Sequence, residues 1–279
     1  MNGVGEPRWQ SMRPGTSMRP LGGASRISRR RLMLGLGAAG GLAALGWVGA
    51  STVTPERERP LALVYRGPAA CSGCAEAVAA LLRNSPARFR TEYCGPDEER
   101  RISESALAEA AVYAQPGGGD VDRAWRRLDR YADRIREFVH NGGHYLGFCL
   151  GAYLAGDNPG FAILNGKVDR YISSRGASVD TTDDVVIQVQ WRGQPRYMFF
   201  QDGPTLELAP SAQGTVIATY DTGAAAAVVA TFGAGRVGLV GPHPEADQSW
   251  YDDADIANPE GIRFDLGYDF VQSTVAART

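Results

Sequence analysis

The stretch Asn141-Gly142-Gly143-His144-Tyr145-Leu146-Gly147-Phe148-Cys149-Leu150-Gly151-Ala152-Tyr153 constrains this chain more than any other. The apolar run 144–148 predicts a short strand and the residues from Leu150 onward predict a helix, so the backbone must turn sharply at Cys149. Gly147 and Gly151 flank the cysteine as Gly-x-Cys-x-Gly, and glycine removes the Cβ clash that a strand-to-helix reversal would create. A turn of this kind pushes a nucleophile out at the carboxyl edge of a sheet. It also sets the thiol against the positive end of the following helix, which favours the thiolate. The competing reading is a buried structural cysteine, because free cysteine is among the most buried residue types.

The chain ahead of that turn alternates strand and helix. Residues 61–65 form a continuous apolar run ended by Gly67-Pro68, and 71–84 carry a helical stripe of Ala77, Val78, Leu81 and Leu82. A strand over 88–94 stops at Gly95-Pro96, a short helix covers 103–109, and 111–114 form a third strand. This βαβαβ order implies right-handed crossovers, a mostly parallel sheet covered on both faces, and ligand binding beyond the carboxyl ends of the strands. The third strand runs into Gln115-Pro116-Gly117-Gly118-Gly119-Asp120. Gly117 and Gly118 offer unobstructed N–H groups as half of an oxyanion hole whose second donor is the N–H of Leu150; the alternative is a flexible turn. A single helix over 121–140 follows, with Trp125, Leu128, Ile135, Phe138 and Val139 inward and Asn141-Gly142-Gly143 as its cap. Beyond the cysteine the pattern turns β-rich, with strands at 161–164, 168–172, 185–191, 196–200, 216–220 and 226–231, read as an antiparallel extension of one body and not a second domain.

The amino-terminal fifty residues differ in kind. Residues 1–27 are rich in Gly, Pro, Ser and Arg without an apolar period, and Ser28-Arg29-Arg30-Arg31-Leu32-Met33 precedes a glycine-broken apolar run to Ala50. A twin arginine ahead of a weakly hydrophobic segment predicts export by the twin-arginine route, with cleavage after Val48-Gly49-Ala50. The protein is then periplasmic, envelope-associated or secreted. An uncleaved membrane anchor is the alternative, although the run is short and glycine-rich for a span. A charged linker at 51–60 leads to one domain over 61–279. Seven arginines and Glu6 lie in the leader; without them, 29 basic and 31 acidic residues fall to 22 and 30, a net charge of about −8. A body of that sign argues against a nucleic-acid binder, which would need a basic face to displace counterions.

The last predicted strand, 235–241, ends in Pro242-His243-Pro244-Glu245. Of three histidines, His140 sits at a helix end and His144 opens the strand before Cys149, whereas His243 is held between two prolines with a carboxylate two residues on. Cysteine chemistry needs a base for the thiol proton and a third group to fix the imidazole tautomer, and Cys149, His243 and Glu245 are of those types. With the Gly-x-Cys-x-Gly turn and the late His-x-Glu, the chain resembles the class I glutamine-amidotransferase-like superfamily. It resembles most the biotin-protein-ligase amino-terminal domain family, through residues 145–153, 115–119 and 241–245. The resemblance spans roughly 61–270 and implies a flavodoxin-like three-layer sandwich, with Cys149 as nucleophile, His243 as base and Glu245 as orienter. It does not imply biotin ligation, because the chain has no Gly-Arg-rich biotinyl-adenylate loop and ends soon after the amidotransferase-like body.

The sequence therefore points to an exported cysteine amidase or hydrolase acting on an amide or γ-glutamyl-like carbonyl of a small molecule or peptide, without cofactor or metal. A non-catalytic binding module of the same fold, lined by aromatics such as Trp250 and Tyr251, and a thiol-redox protein are the alternatives. Exported chains meet an oxidising environment, so one structural disulfide among Cys71, Cys74 and Cys94 is expected. The spacing Cys-x-x-Cys also suits a redox pair that resolves an oxidised Cys149. A zinc site is disfavoured because no histidine pair accompanies the cysteines.

Overall fold

A computed structural model describes residues 55–276; the expected leader and residues 51–54 of the expected linker lie outside the described residues, as do 277–279. The parallel part of the fold begins with β1 (Leu61–Tyr65), α1 (Cys74–Asn84), β2 (Arg90–Cys94), α2 (Glu104–Ala108) and β3 (Val112–Gln115). Helices α3 (Val121–Leu128) and α4 (Ala132–His140) lead to β4 (His144–Phe148) and the single turn α5 (Leu150–Tyr153). Then come β5 (Gly166–Arg170), β6 (Val185–Trp191), β7 (Gln194–Phe200), β8 (Pro204–Leu208), β9 (Gly214–Thr219), β10 (Ala225–Phe232) and β11 (Gly235–Val240), closed by α6 (Gln248–Asp253) and α7 (Phe264–Val275).

All eleven strands join one sheet in the order β2-β1-β3-β4-β11-β10-β9-β6-β7, with β8 pairing to β10 and carrying β5. The strands from β2 to β11 run parallel, and the ladder becomes antiparallel at β10. The β-rich half thus continues the parallel sheet edge to edge, within one α/β body. Strand β1 is buried along its whole length because both faces of the sheet are covered, which is why it reads as an unbroken apolar run. Ala62 and Val64 join a core with Val78, Leu82, Phe270 and Val271 of α1 and α7. Leu61, Leu63 and Tyr65 point to a second core with Leu128, Ile135 and Val139 of α3 and α4.

Several local expectations are corrected. The helix expected over 121–140 is broken by a 3-10 turn at Asp129–Tyr131. There the Asp129 carboxylate accepts from the N–H of Arg130, the local competition with helical bonding that aspartate offers. The strand expected over 161–164 does not form. Phe161, Ile163 and Leu164 are buried, yet their N–H groups bond back to Leu154 and Ala155 and not to a neighbouring strand. The helix expected from residue 71 starts at Cys74, behind Gly73 at φ 81°. Strand β8, which no expectation covers, opens on Pro204, and proline is tolerated as the first residue of a strand.

Candidate active site

The three central strands deliver the chemistry to one edge. Strand β4 lies between β3 and β11, with Gln115 opposite Gly147 on one side and Val240 opposite Phe148 on the other. The next residues of all three strands therefore leave the sheet together: Gly117 and Gly118 after β3, Cys149 after β4, and His243 after β11. The N–H of Cys149 donates to Val240 O at 2.9 Å, which locks the cysteine beside the strand that carries the histidine.

The turn itself shows why the flanking glycines are needed. A Cβ on Gly147 would lie 2.5 Å from Gly151 O, and one on Gly151 would lie 2.1 Å from Gln115 O. Both positions are closed to any side chain by close backbone approach. The positive φ falls on Cys149 itself, at φ 47° and ψ −101°, a strained backbone of the sort that clusters at functional sites. The following helix is a single turn of four residues, so the dipole expected to favour the thiolate is small.

His243 and Glu245 are almost fully inaccessible, at 4% and 1%. Nδ1 of His243 donates to Glu245 Oε1 at 2.8 Å, which leaves Nε2 as the ring nitrogen not engaged by Glu245. The other carboxylate oxygen, Oε2, has no partner among the described residues. Burial by itself lowers the imidazole's pKa, but Glu245 and the hydrogen-bonded Cys149 outweigh it and raise the value to about 10. Both partners therefore favour the charged form of the ring. Phe199 and Trp250 wall it in, with ring centroids at 5.9 and 5.1 Å, and the His243 N–H donates to Phe199 O at 2.8 Å. A Cβ on Gly117 would sit 2.8 Å from His243 Cε1, so this glycine makes room for the imidazole. A Cβ on Gly118 would sit 2.4 Å from Leu150 Cδ2, so the glycine loop abuts the turn beyond the cysteine.

Cys149 is 6% exposed and donates to Gln201 O at 3.5 Å. It borders two spaces. One is a tight pocket of about 40 Å³ shared with His243, Trp250, Cys71 and Cys74. The other is an open cleft of about 470 Å³ lined by Gly118, Leu150, Tyr153, Arg170, Thr182 and Gln201. At the cleft wall Arg170 pairs with Asp202 and the Tyr153 hydroxyl donates to Asp202 O at 3.1 Å.

Cys149, His243, Glu245, Gly117, Gly118 and Leu150 are thus brought to one place. Cys71 and Cys74 are joined as a disulfide with Cα atoms 5.3 Å apart. Cys94 is not part of that bridge: it ends β2 as a free, buried thiol whose pKa burial pushes up to about 12. His144 starts β4 at the opposite edge of the sheet, where burial and then Arg236 lower its pKa. Gln201, which accepts from the thiol, and Phe199, which packs on the imidazole, carry no motif. The only signal for them was that a predicted strand stopped at residue 200.

The model of the family "Biotin-protein ligase, N terminal" matches residues 61–176, a span that contains Gly117, Gly118 and Cys149 and stops short of His243. No curated protein matches the chain. Among solved structures, PurLQS from Thermotoga maritima superposes with a TM-score of 0.50 at 15% identity, over 78% of this chain and 98% of its own. A cytoplasmic protein of Salmonella typhimurium, STM3548, gives 0.47 at 13% identity over 77% and 98%. At 15% identity the likeness to PurLQS is one of fold alone. Over residues 61–176, the chain is similar to the biotin-protein ligase N-terminal family.

Proposed function

We propose that the protein is a cysteine-dependent amide hydrolase on a flavodoxin-like three-layer frame, with Cys149, His243 and Glu245 as its triad. The observation that carries this reading is the pairing of a buried His243–Glu245 dyad with a cysteine that opens on a 470 Å³ cleft. The parallel strand order β2-β1-β3-β4-β11, with helices on both faces, supports the frame.

In this reading Cys149 gives its thiol proton to His243, and its sulfur attacks the amide or γ-glutamyl-like carbonyl carbon of a small molecule or peptide held in the cleft. The oxygen becomes an oxyanion held by the N–H groups of Gly118 and Leu150. Leu150 suits that role because the first N–H groups of a helix have no acceptor within it. The imidazolium of His243 protonates the leaving amine, and the neutral ring then takes a proton from the water that hydrolyses the thioester. Glu245 holds the tautomer throughout. We also propose that residues 28–50 export the protein by the twin-arginine route; R30K with R31K should leave it in the cytoplasm, and unchanged secretion would refute this.

The test is release of ammonia or amine from glutamine, γ-glutamyl peptides and cell-wall amides by the wild type and by C149A. Release by C149A at the wild-type rate removes the nucleophile and with it the proposal.

A further inference from the structure

We propose that Cys71 and Cys74 form a relay that returns an oxidised Cys149 to the thiol, the oxidant being of the hydroperoxide class. The inference takes Cys149 as a reactive thiol, as the proposed function does, but requires no turnover of an amide.

Three observations place the relay. First, the pocket that holds Cys149 and His243 is walled also by Cys71, Ser72 and Cys74. Its volume of about 40 Å³ is room for about one or two water molecules. Second, the glycine loop ties the two groups together. The N–H of Cys71 donates to Gly117 O at 3.0 Å, and a Cβ on Gly117 would lie 3.7 Å from Cys74 Sγ and 2.8 Å from His243 Cε1. Third, the two sulfurs differ in access. Cys74 is 1% exposed at the first turn of the eleven-residue α1, whereas Cys71 is half-buried and reachable from solvent. Cys94, the remaining free thiol of the described residues, is buried in the core at the end of β2 and stands outside this pocket.

The steps balance. The Cys149 sulfur attacks the hydroperoxide, the O–O bond breaks, and a sulfenic acid and an alcohol or water result. The thiol of Cys74 then attacks Sγ of Cys149. The S–O bond breaks, a Cys149–Cys74 disulfide forms, and the hydroxyl leaves as water with a proton relayed by His243. Finally Cys71 attacks Sγ of Cys74, the Cys71–Cys74 disulfide forms, and Cys149 leaves as the thiol. Two electrons have passed from the dithiol to the peroxide. The end state is the one observed, with Cys71 and Cys74 bridged and Cys149 free. An external dithiol resets the pair through the accessible Cys71.

The experiment reduces the full chain with dithiothreitol, removes the reductant, adds one equivalent of hydrogen peroxide with dimedone, blocks free thiols with iodoacetamide and maps peptides by mass. In the wild type, Cys149 should be recovered as a blocked thiol with Cys71 and Cys74 bridged. C71S should trap a Cys149–Cys74 disulfide, and C74S should accumulate about tenfold more dimedone adduct on Cys149 than the wild type. Absence of the Cys149–Cys74 link in C71S, or equal adduct in wild type and C74S, overturns the relay. Should either variant fail to fold, the wild-type time course decides. Cys149 labelling must fall and then recover while labelling of Cys71 and Cys74 is lost, and permanent loss at Cys149 overturns the proposal. Because the readout is sulfur chemistry, an inactive amidase leaves the relay standing, and a failed relay with normal amide hydrolysis removes the relay alone.

Discussion

Replacing Glu245 by glutamine tests the physical heart of the site. The side chain is 0% exposed and its Oε1 accepts from His243 Nδ1 at 2.8 Å, so an amide oxygen can keep that bond while the charge is lost. The imidazolium would then be buried against burial's own preference for the neutral ring. Removing one partner of such a pair costs about 3–5 kcal/mol. The pH dependence carries the sign. His243 has a folded pKa raised from 6.5 to about 10, so its stabilisation is complete below about pH 6.5 and is lost as pH rises through about 10. The stability gap between wild type and E245Q should therefore be widest near pH 6 and should shrink towards pH 10. Guanidinium unfolding at pH 6, 8 and 10 measures the gap, and the ring can be followed by NMR because the chain has three histidines. Amide hydrolysis should fall by roughly 10³–10⁴-fold, the scale seen when an orienting carboxylate is lost elsewhere. A gap that stays constant with pH, or a His243 that titrates alike in both proteins, would refute the reasoning.

Other substitutions probe the shape of the pocket and the isolation of its neighbours. In G117A the new methyl meets His243 Cε1 at 2.8 Å with the ring pinned between Phe199 and Trp250, so overpacking should cost about 1–3 kcal/mol and hydrolysis should collapse; wild-type rates in G117A would show that the ring is free to move. F199A removes a side chain that touches His243, Trp250 and Tyr251, and thermal melting should reveal a loss of about 3–5 kcal/mol. Cys94, with its thiol raised to about 12, should resist iodoacetamide at pH 8 until the protein is unfolded, and native labelling by mass would contradict its burial.

Much of this molecule was legible along the chain because it depends on near neighbours. The strands at 61–65, 111–114 and 144–148 and the glycines around Cys149 follow from apolar runs and turn chemistry, and each appears where those patterns put it, to within a residue. Where long-range pairing decides, sequence patterns failed. The apolar residues 161–164 are buried without joining a ladder, because burial and strand pairing leave the same hydrophobic signature. The helix expected over 121–140 broke at Asp129, whose side chain competes with the backbone through a hydrogen bond that periodicity does not register.

The residue types of the site, Cys149, His243 and Glu245, were written in the sequence; their meeting was not. It results from β11 entering the sheet beside β4, in a register that sets Val240 against Phe148, after more than eighty intervening residues have formed the antiparallel half. The Cys71–Cys74 bridge facing the same pocket, the exclusion of Cys94, and the Gln201 carbonyl beside the thiol were likewise decided by packing. Local chemistry specifies which groups are present, whereas strand order and register, set by burial of both sheet faces at once, specify which of them touch.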